Sequence, residues 1–597
     1  SNEEENTCTV LVQSNGSLGR LVLVRLRLEV RPGFPALDWH CSRVEVCRLA
    51  DRQEGAEPET QVFLCDRWLQ TADEGVELRS GKCENLSVFS RCCSRWRMIV
   101  DGAPQSVDMN SVSELMPNLR YTRADLTYLK GFTCRAETWT SFSELETVFS
   151  HSGHQNSIAR FVQAHWKDDW YFGHQCLNGS NPLLLRQTRL LPPNLSVTAG
   201  MLQPFLREGS SLQRELQEGR IYLLDYEVLD GVPANVVNGK QTYLSAPLCL
   251  LHLNQQGQLV PIAIQLQQNP GPQNPVFLPS DPGSDWLLAK IWVRAADFQC
   301  HQLVSHYLKT HVMGELCCVA TLRQLPDLHP LHQLLMPHVK TSLQINLQAR
   351  ASLLAADGVF DKAMGSGLKT LPVLLSRASA RTTYRSLCVP DDLEDRGLGN
   401  LPHSYFAQDA LRVWDALHRF VVSWVNVYYS RDDDVQLDSE LQHWITDINT
   451  HGFTHNSGSA CLLYTAVLSE HLEHLLLPLL QLDFALWMPN CPAAMLRPPP
   501  QVKGGMTEDD ILSFLPDINS TCRVLMTLVM LSQPAHDSVP LCHYNEAIFA
   551  DGVHRRLVEE VQGQLTAISE DIAERNSRLE LPYPYLCPAH IENSVAI

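Results

Sequence analysis

Three histidines recur at five-residue intervals, His301, His306 and His311, and Glu315 follows them. Far downstream the chain ends on Ile591-Glu592-Asn593-Ser594-Val595-Ala596-Ile597. An apolar last residue in a Pro- and Tyr-rich tail can carry its free carboxylate into the interior, where it needs a cation or strong donors beside it. Neutral imidazoles with one carboxylate form a donor set that suits non-haem iron. The spacing sets a condition on the backbone. An α-helix turns ~100° per residue, so residues five apart sit roughly 140° apart around the axis and cannot share a ligand. A π-type turn brings i and i+5 onto one face, and such bulges concentrate at functional sites. The spacing therefore predicts a local π distortion if two of these His hold one metal. On spacing alone, three unrelated His in a chain with 23 of them is an equal reading.

Such a site needs long helices to carry it, and the chain has room for them. With 597 residues, at least two domains are expected. Helical patterns dominate from about residue 110 onward. Examples run over 286–325, 408–429 and 554–576, the last with Leu557, Val561, Leu565 and Ile568 at helical spacing. The first ~100 residues look β-rich. Leu21 to Leu28 alternates in part, and Ser42 to Val46 places Val44 and Val46 on one face. A further aromatic segment is Phe63-Leu64-Cys65-Asp66-Arg67-Trp68-Leu69. The expected organisation is a β-sandwich over 1–105 and a large, mainly helical domain over 106–597.

Composition excludes several functions. Hydrophobic residues at 44% and charged residues at 19% describe an ordinary globular chain. The net charge of −19 without a long basic run argues against a nucleic-acid partner. The acidic, polar start Ser1 to Asn6 does not read as a secretory signal. No uncharged apolar stretch reaches 18 residues, and Leu475 to Leu482 is far too short to span a membrane. An odd count of 19 scattered Cys favours reduced thiols in the cytoplasm.

The segments around the His run carry a resemblance. Trp286-Leu287-Leu288-Ala289-Lys290 precedes it. Ala320 to Pro326, His329-Pro330, Pro337-His338 and Ile345-Asn346 follow it. With the tail from Leu581-Pro582-Tyr583-Pro584-Tyr585-Leu586 to Ile597, this closely resembles the animal lipoxygenase family over nearly the whole chain. Asp391 to Leu398 and Phe406 to Arg412 look most like the arachidonate 12/15-type members. The resemblance implies a PLAT (C2-like) β-sandwich, shortened at its start, before a helical catalytic domain. It implies one non-haem iron held by His306, His311, His474 and the main-chain carboxylate of Ile597, with His301 a nearby non-ligand. Gln302 and Gln481 match an inter-helix hydrogen-bond pair.

The pattern breaks on the second ligand helix. Aligning backward from Trp487-Met488-Pro489-Asn490 and Gln481 puts His474 at the first ligand position and Pro478 at the second. Proline has no donor atom and disturbs a helix interior. Three readings stay open: water at the fourth position, compensation by His471, or a degenerate or mis-assembled segment between Gly452 and His474.

The activity implied is insertion of O2 into polyunsaturated fatty acids with a cis,cis-1,4-pentadiene. Hydrogen leaves the doubly allylic carbon and dioxygen adds to the radical, with no catalytic side chain beyond the iron-bound hydroxide. By position, Leu353 packs on the pentadiene and Ala349 is the stereo-control residue, alanine going with S products. Phe298, Ala363 and Met364 set pocket depth; each is equally an ordinary core residue by composition. Gln348 replaces an arginine proposed to meet the substrate carboxylate, and helix geometry points Arg350 elsewhere. Alternatives are a hydroperoxide isomerase of the same family and an inactive lipid-binding homologue. Peripheral, reversible membrane contact is expected through the N-terminal domain, with Trp39 and Trp68 as candidate loop aromatics and Ca2+ as a possible assistant.

Overall fold

The computed structural model describes residues 23–26, 39–47, 60–69, 76–79, 95–115, 119–120, 138–150, 157–452, 492–531, 538–544 and 552–594. Near the N-terminus Leu23–Leu26 pairs antiparallel with Val76–Arg79, and Trp39–Cys47 with Thr60–Leu69. The two pairs share one small core. Phe63 and Cys41 are buried, and Val24, Leu26, Val44 and Val46 pack against them. Arg25, Arg43 and Glu45 alternate outward, the period-2 pattern of a sheet with one wet face. This is the arrangement of a β-sandwich. Trp39 and Trp68 do not lie on loops as expected. Both are in paired strands, in register with Leu69 and His40 respectively, because the antiparallel pairing of Trp39–Cys47 with Thr60–Leu69 runs to the strand ends that carry them.

The helical body contains an element that the sequence reading missed, a five-stranded antiparallel sheet. Leu248–Leu253 and Leu259–Gln265 form its centre, with Ile221–Asp225 beside them. These strands are buried on both faces, so they read as continuous apolar runs rather than alternation. Helix Asp169–Asn178 lies directly on the sheet: a Cβ on Gly173 would sit 1.7 Å from the Leu259 carbonyl oxygen. Only glycine permits that approach.

The axis of the body is one continuous helical run: α-helical Gly283–Cys300, π-helical His301–Val312 and α-helical Met313–Gln324. Gly283–Cys300 is buried almost all round, as a helix at the centre of a large core must be. Its charges are paired inside. Lys290 Nζ donates to Asp169 and to the Lys167 carbonyl, each at 2.6 Å. Arg294 meets Asp297 at 3.3 Å and the Phe172 carbonyl at 2.9 Å. The Tyr226 hydroxyl and the Asn181 amide also donate to Asp297, both at 3.0 Å. Helices Tyr405–Tyr428 and Gly552–Asn576 pack around this axis. In the second, Val558, Val561, Leu565, Ile568 and Ile572 face inward, and Leu557 lies at the rim of that face.

Candidate metal centre

The backbone widens where the His spacing requires it. His301–Val312 is a π-helix, so His306 and His311 lie one turn apart on one face. Their ring centroids are 4.9 Å apart. The Thr310 hydroxyl donates to the Ser305 carbonyl at 3.1 Å, satisfying main chain within the widened turn. The Ser305 hydroxyl donates to Asn181 at 2.8 Å and ties the turn to the buried Arg294–Asp297 network.

The Nε2 atoms of the two rings face one another at 3.0 Å. Their other nitrogens decide what that contact means. His311 Nδ1 lies 2.9 Å from Asn346 Oδ1. Asn346 Nδ2 donates to the His311 carbonyl at 2.7 Å and to Glu315 at 2.6 Å, so the amide oxygen must face the ring and Nδ1 must carry the proton. His306 Nδ1 lies 3.4 Å from Gln302 Oε1, and Gln302 Nε2 lies 3.2 Å from His301 Nδ1. With the Gln302 oxygen toward it, the His306 ring would carry its proton on Nδ1 as well. A neutral imidazole has one proton, so with both protons on Nδ1 two lone pairs face each other across that gap. A cation resolves the repulsion. Two donors ~2.1 Å from one metal and at right angles lie ~3.0 Å apart. The residues present therefore fit a metal ion. Burial holds the His306 ring neutral: its pKa is driven well below its usual value by burial and then by the neighbouring His311 and His301. Burial alone takes His301 down to about 4.

His301 stands apart from the pair, its ring centroid 6.0 Å from that of His306, and it orients Gln302. Glu315 and Asn346 emerge as the partners that hold His311. Glu315 was visible as the carboxylate one turn beyond His311, but nothing in the sequence pattern links it to Asn346. Arg350 is committed to Glu315, at 2.7 and 3.1 Å.

The tail is delivered toward the same place. Asn593 is buried, and its carbonyl lies 3.0 Å from His338 Nδ1. Its amide oxygen accepts from Cys542 N at 2.7 Å. Ser594 Oγ lies 2.8 Å from the Thr341 hydroxyl and accepts from Thr341 N at 3.2 Å. Thr341 precedes helix Ser342–Ala351, and Asn346 sits ~7.5 Å further along that axis. Ile597, His471, His474, Pro478 and Gln481 lie outside the described residues.

Phe298, Ala363 and Met364 are buried in one core cluster, with Leu353 packed at its edge. Ala349, half-buried, is on helix Ser342–Ala351, and its carbonyl accepts from Leu354 N at 2.9 Å. Asn235 fixes the Ala363–Met364 stretch by donating to the carbonyls of Asp361 at 3.0 Å and Met364 at 2.9 Å.

A second His–carboxylate group among the described residues, His329 with Asp438 and Glu440, has a structural explanation. His329 Nδ1 accepts from Leu331 N at 3.1 Å, capping its helix, and Nε2 is 3.2 Å from Asp438. Asp438 also accepts from the Tyr429 hydroxyl at 2.6 Å and from Leu441 N at 3.0 Å.

Comparison with known proteins shows the family. The lipoxygenase family profile matches residues 153–583. The chain is 38% identical to the polyunsaturated fatty acid lipoxygenase ALOX15B of Rattus norvegicus, covering 94% of this chain and 88% of that protein. It is 36% identical to the hydroperoxide isomerase ALOXE3 of Mus musculus, over 98% and 92% of the two chains. Among solved structures, a calcium-dependent 11R-lipoxygenase superposes with a TM-score of 0.85 at 27% identity, over 98% of this chain and 92% of that one. Coral 8R-lipoxygenase, described as calcium-activated through a C2-like domain, gives 0.83 at 27% identity, over 94% and 88%. The fold is thus that of a lipid-oxidising enzyme with an N-terminal C2-like domain. The chain belongs to the lipoxygenase family, whose enzymes are dioxygenases acting on polyunsaturated fatty acids.

Proposed function

We propose that this chain is a non-haem iron dioxygenase that converts arachidonate-like fatty acids to hydroperoxides. The observation that carries the reading is the pair of imidazoles of His306 and His311, facing Nε2 to Nε2 at 3.0 Å on one π-helical turn. His474 and the Ile597 carboxylate complete the proposed ligand set. Iron held there would supply the redox capacity to remove a hydrogen atom from a doubly allylic carbon. The side chains do the rest. Phe298, Ala363 and Met364 close the deep end of an apolar pocket and keep it dry. Leu353 packs on the pentadiene, and the Ala349 methyl narrows the path by which O2 reaches one face. Metal analysis combined with conjugated-diene absorbance on arachidonate tests this. Stoichiometric iron with diene formation is expected, and a metal-free, inactive chain overturns it.

A second reading, hydroperoxide isomerase, is favoured by the similarity to ALOXE3. Epoxyalcohol formation from a supplied hydroperoxide, without diene formation from the fatty acid, distinguishes it. Pro478 keeps the non-catalytic alternative in play, and sequencing the transcript across the codons for 450–485 resolves whether that segment is genuine.

The domain boundary is placed at 105/106. The chain is read as cytoplasmic and reversibly membrane-associated through its first domain, with calcium assisting as in its structural relatives. No described helix is long and apolar enough to cross a membrane. Vesicle co-sedimentation of a chain lacking residues 1–105 is expected to fall; unchanged binding assigns the contact to the catalytic domain.

A further inference from the structure

We propose that Glu315 is a positioning residue that couples the hairpin at the domain junction to the ring of His311. The inference rests on reading His306 and His311 as metal ligands. Glu315 is fully buried. Arg350 grips its carboxylate at 2.7 and 3.1 Å, Asn346 Nδ2 donates to it at 2.6 Å, and the main-chain N–H of Val107 donates to it at 2.8 Å. An ionised carboxylate only accepts. It therefore dictates that the Asn346 nitrogen, not the oxygen, faces it. The oxygen is left for His311 Nδ1 at 2.9 Å, which fixes the ring proton there and leaves Nε2 unprotonated, the form in which it can bind a metal. Partners of this kind set the tautomer and the orientation of a metal ligand.

The fourth contact gives the network a reach beyond the site. Val107 pairs with Trp96 in a short antiparallel hairpin, Trp96–Arg97 with Ser106–Val107. Trp96 stacks on His451 at 4.6 Å, and its indole N–H donates to Asp447 at 3.4 Å. Gln105 N donates to the His451 carbonyl at 2.8 Å. The hairpin lies where the β-rich region gives way to the helical body. A buried main-chain N–H must keep its partner, so movement of this hairpin loads directly onto Glu315, then Asn346, then His311. Such coupling is reciprocal: what the hairpin does to the ligand, metal binding must do to the hairpin.

The test uses the full-length chain, iron(II)-loaded and chelator-stripped, with iron content measured first. In the stripped wild type, long-range 1H–15N correlation on 15N-histidine protein is expected to show His311 as the Nδ1–H tautomer. Glu315→Gln is expected to mix the tautomers, because one of its amide edges must present a donor to Asn346 or to Val107. Hydrogen exchange over residues 95–109 is expected to slow about fivefold or more on iron loading of the wild type. Iron-independent exchange in a chain that binds iron overturns the coupling. An Nε2–H tautomer in the wild type, or an unchanged tautomer in folded Glu315→Gln, overturns the positioning role. If Glu315→Gln does not fold, the wild-type measurements alone decide. A chain that binds no iron overturns the metal reading instead, and the tautomer arm still decides the role of Glu315.

Discussion

His306 and His311, five residues apart on one π-helical turn, place their Nε2 atoms 3.0 Å from each other while both Nδ1 atoms face side-chain oxygens. With both protons on Nδ1, the facing Nε2 lone pairs would suit a cation, and the proposed ligand set makes its loss or mis-setting measurable.

Deleting Ile597 is expected to abolish stoichiometric iron, because Asn593 and Ser594 already anchor the tail beside the helix that carries Asn346. Metal analysis of purified protein checks this; full retention of iron would exclude the terminal carboxylate as a ligand.

Asn346→Leu removes the acceptor that fixes the His311 proton and leaves Glu315 without one of its donors. Iron affinity is expected to weaken ~10–100-fold, the usual consequence of losing such a partner. Competition with a chelator of known affinity measures it.

Ala349→Gly is expected to shift part of the product from S toward R at a neighbouring carbon, because the methyl group no longer narrows the path of O2. Chiral chromatography of the hydroperoxides gives the answer, and a wild type already dominated by R product removes the premise.

Gly173→Ala should destabilise the protein by about 1–3 kcal/mol or more. The new methyl would meet the Leu259 carbonyl at 1.7 Å and force the helix off the central sheet. Denaturant unfolding against wild type reads the loss.

His174 gives the fold an acid sensitivity. Burial, then the charges of His403 and Arg294, lowers its pKa to about 4, below its value of about 6.5 in an unfolded chain. Between those values the unfolded state binds the proton and the folded state does not, so stability falls as pH drops from 6.5 toward 4. Melting temperature is expected to decline over that window and to decline less in His174→Gln. Equal slopes for the two chains would assign the sensitivity to other groups.

Much of this protein was legible in its residues. The five-residue His spacing called for a π turn if two of the rings were to share one metal, since no α-helix puts i and i+5 on one face, and a π-helix spans His301–Val312. The apolar periodicity of 554–576 and the alternation through Val44 and Val46 fixed a helix and a strand, because each element buries one face with its own period. Other features had no local signal. The central sheet is buried on both sides, so its strands lack the alternation that marks a half-exposed one. Residue type alone left Trp39 and Trp68 open between exposed loop aromatics and packing residues, and only strand pairing places them in a ladder. Asn346 and Val107 lie 31 and 208 residues from Glu315 along the chain. No periodicity encodes a hydrogen bond over such a separation. The chain chose the donor atoms; their proton positions, and hence which nitrogen can bind a metal, were decided by the side chains that folding brought around them.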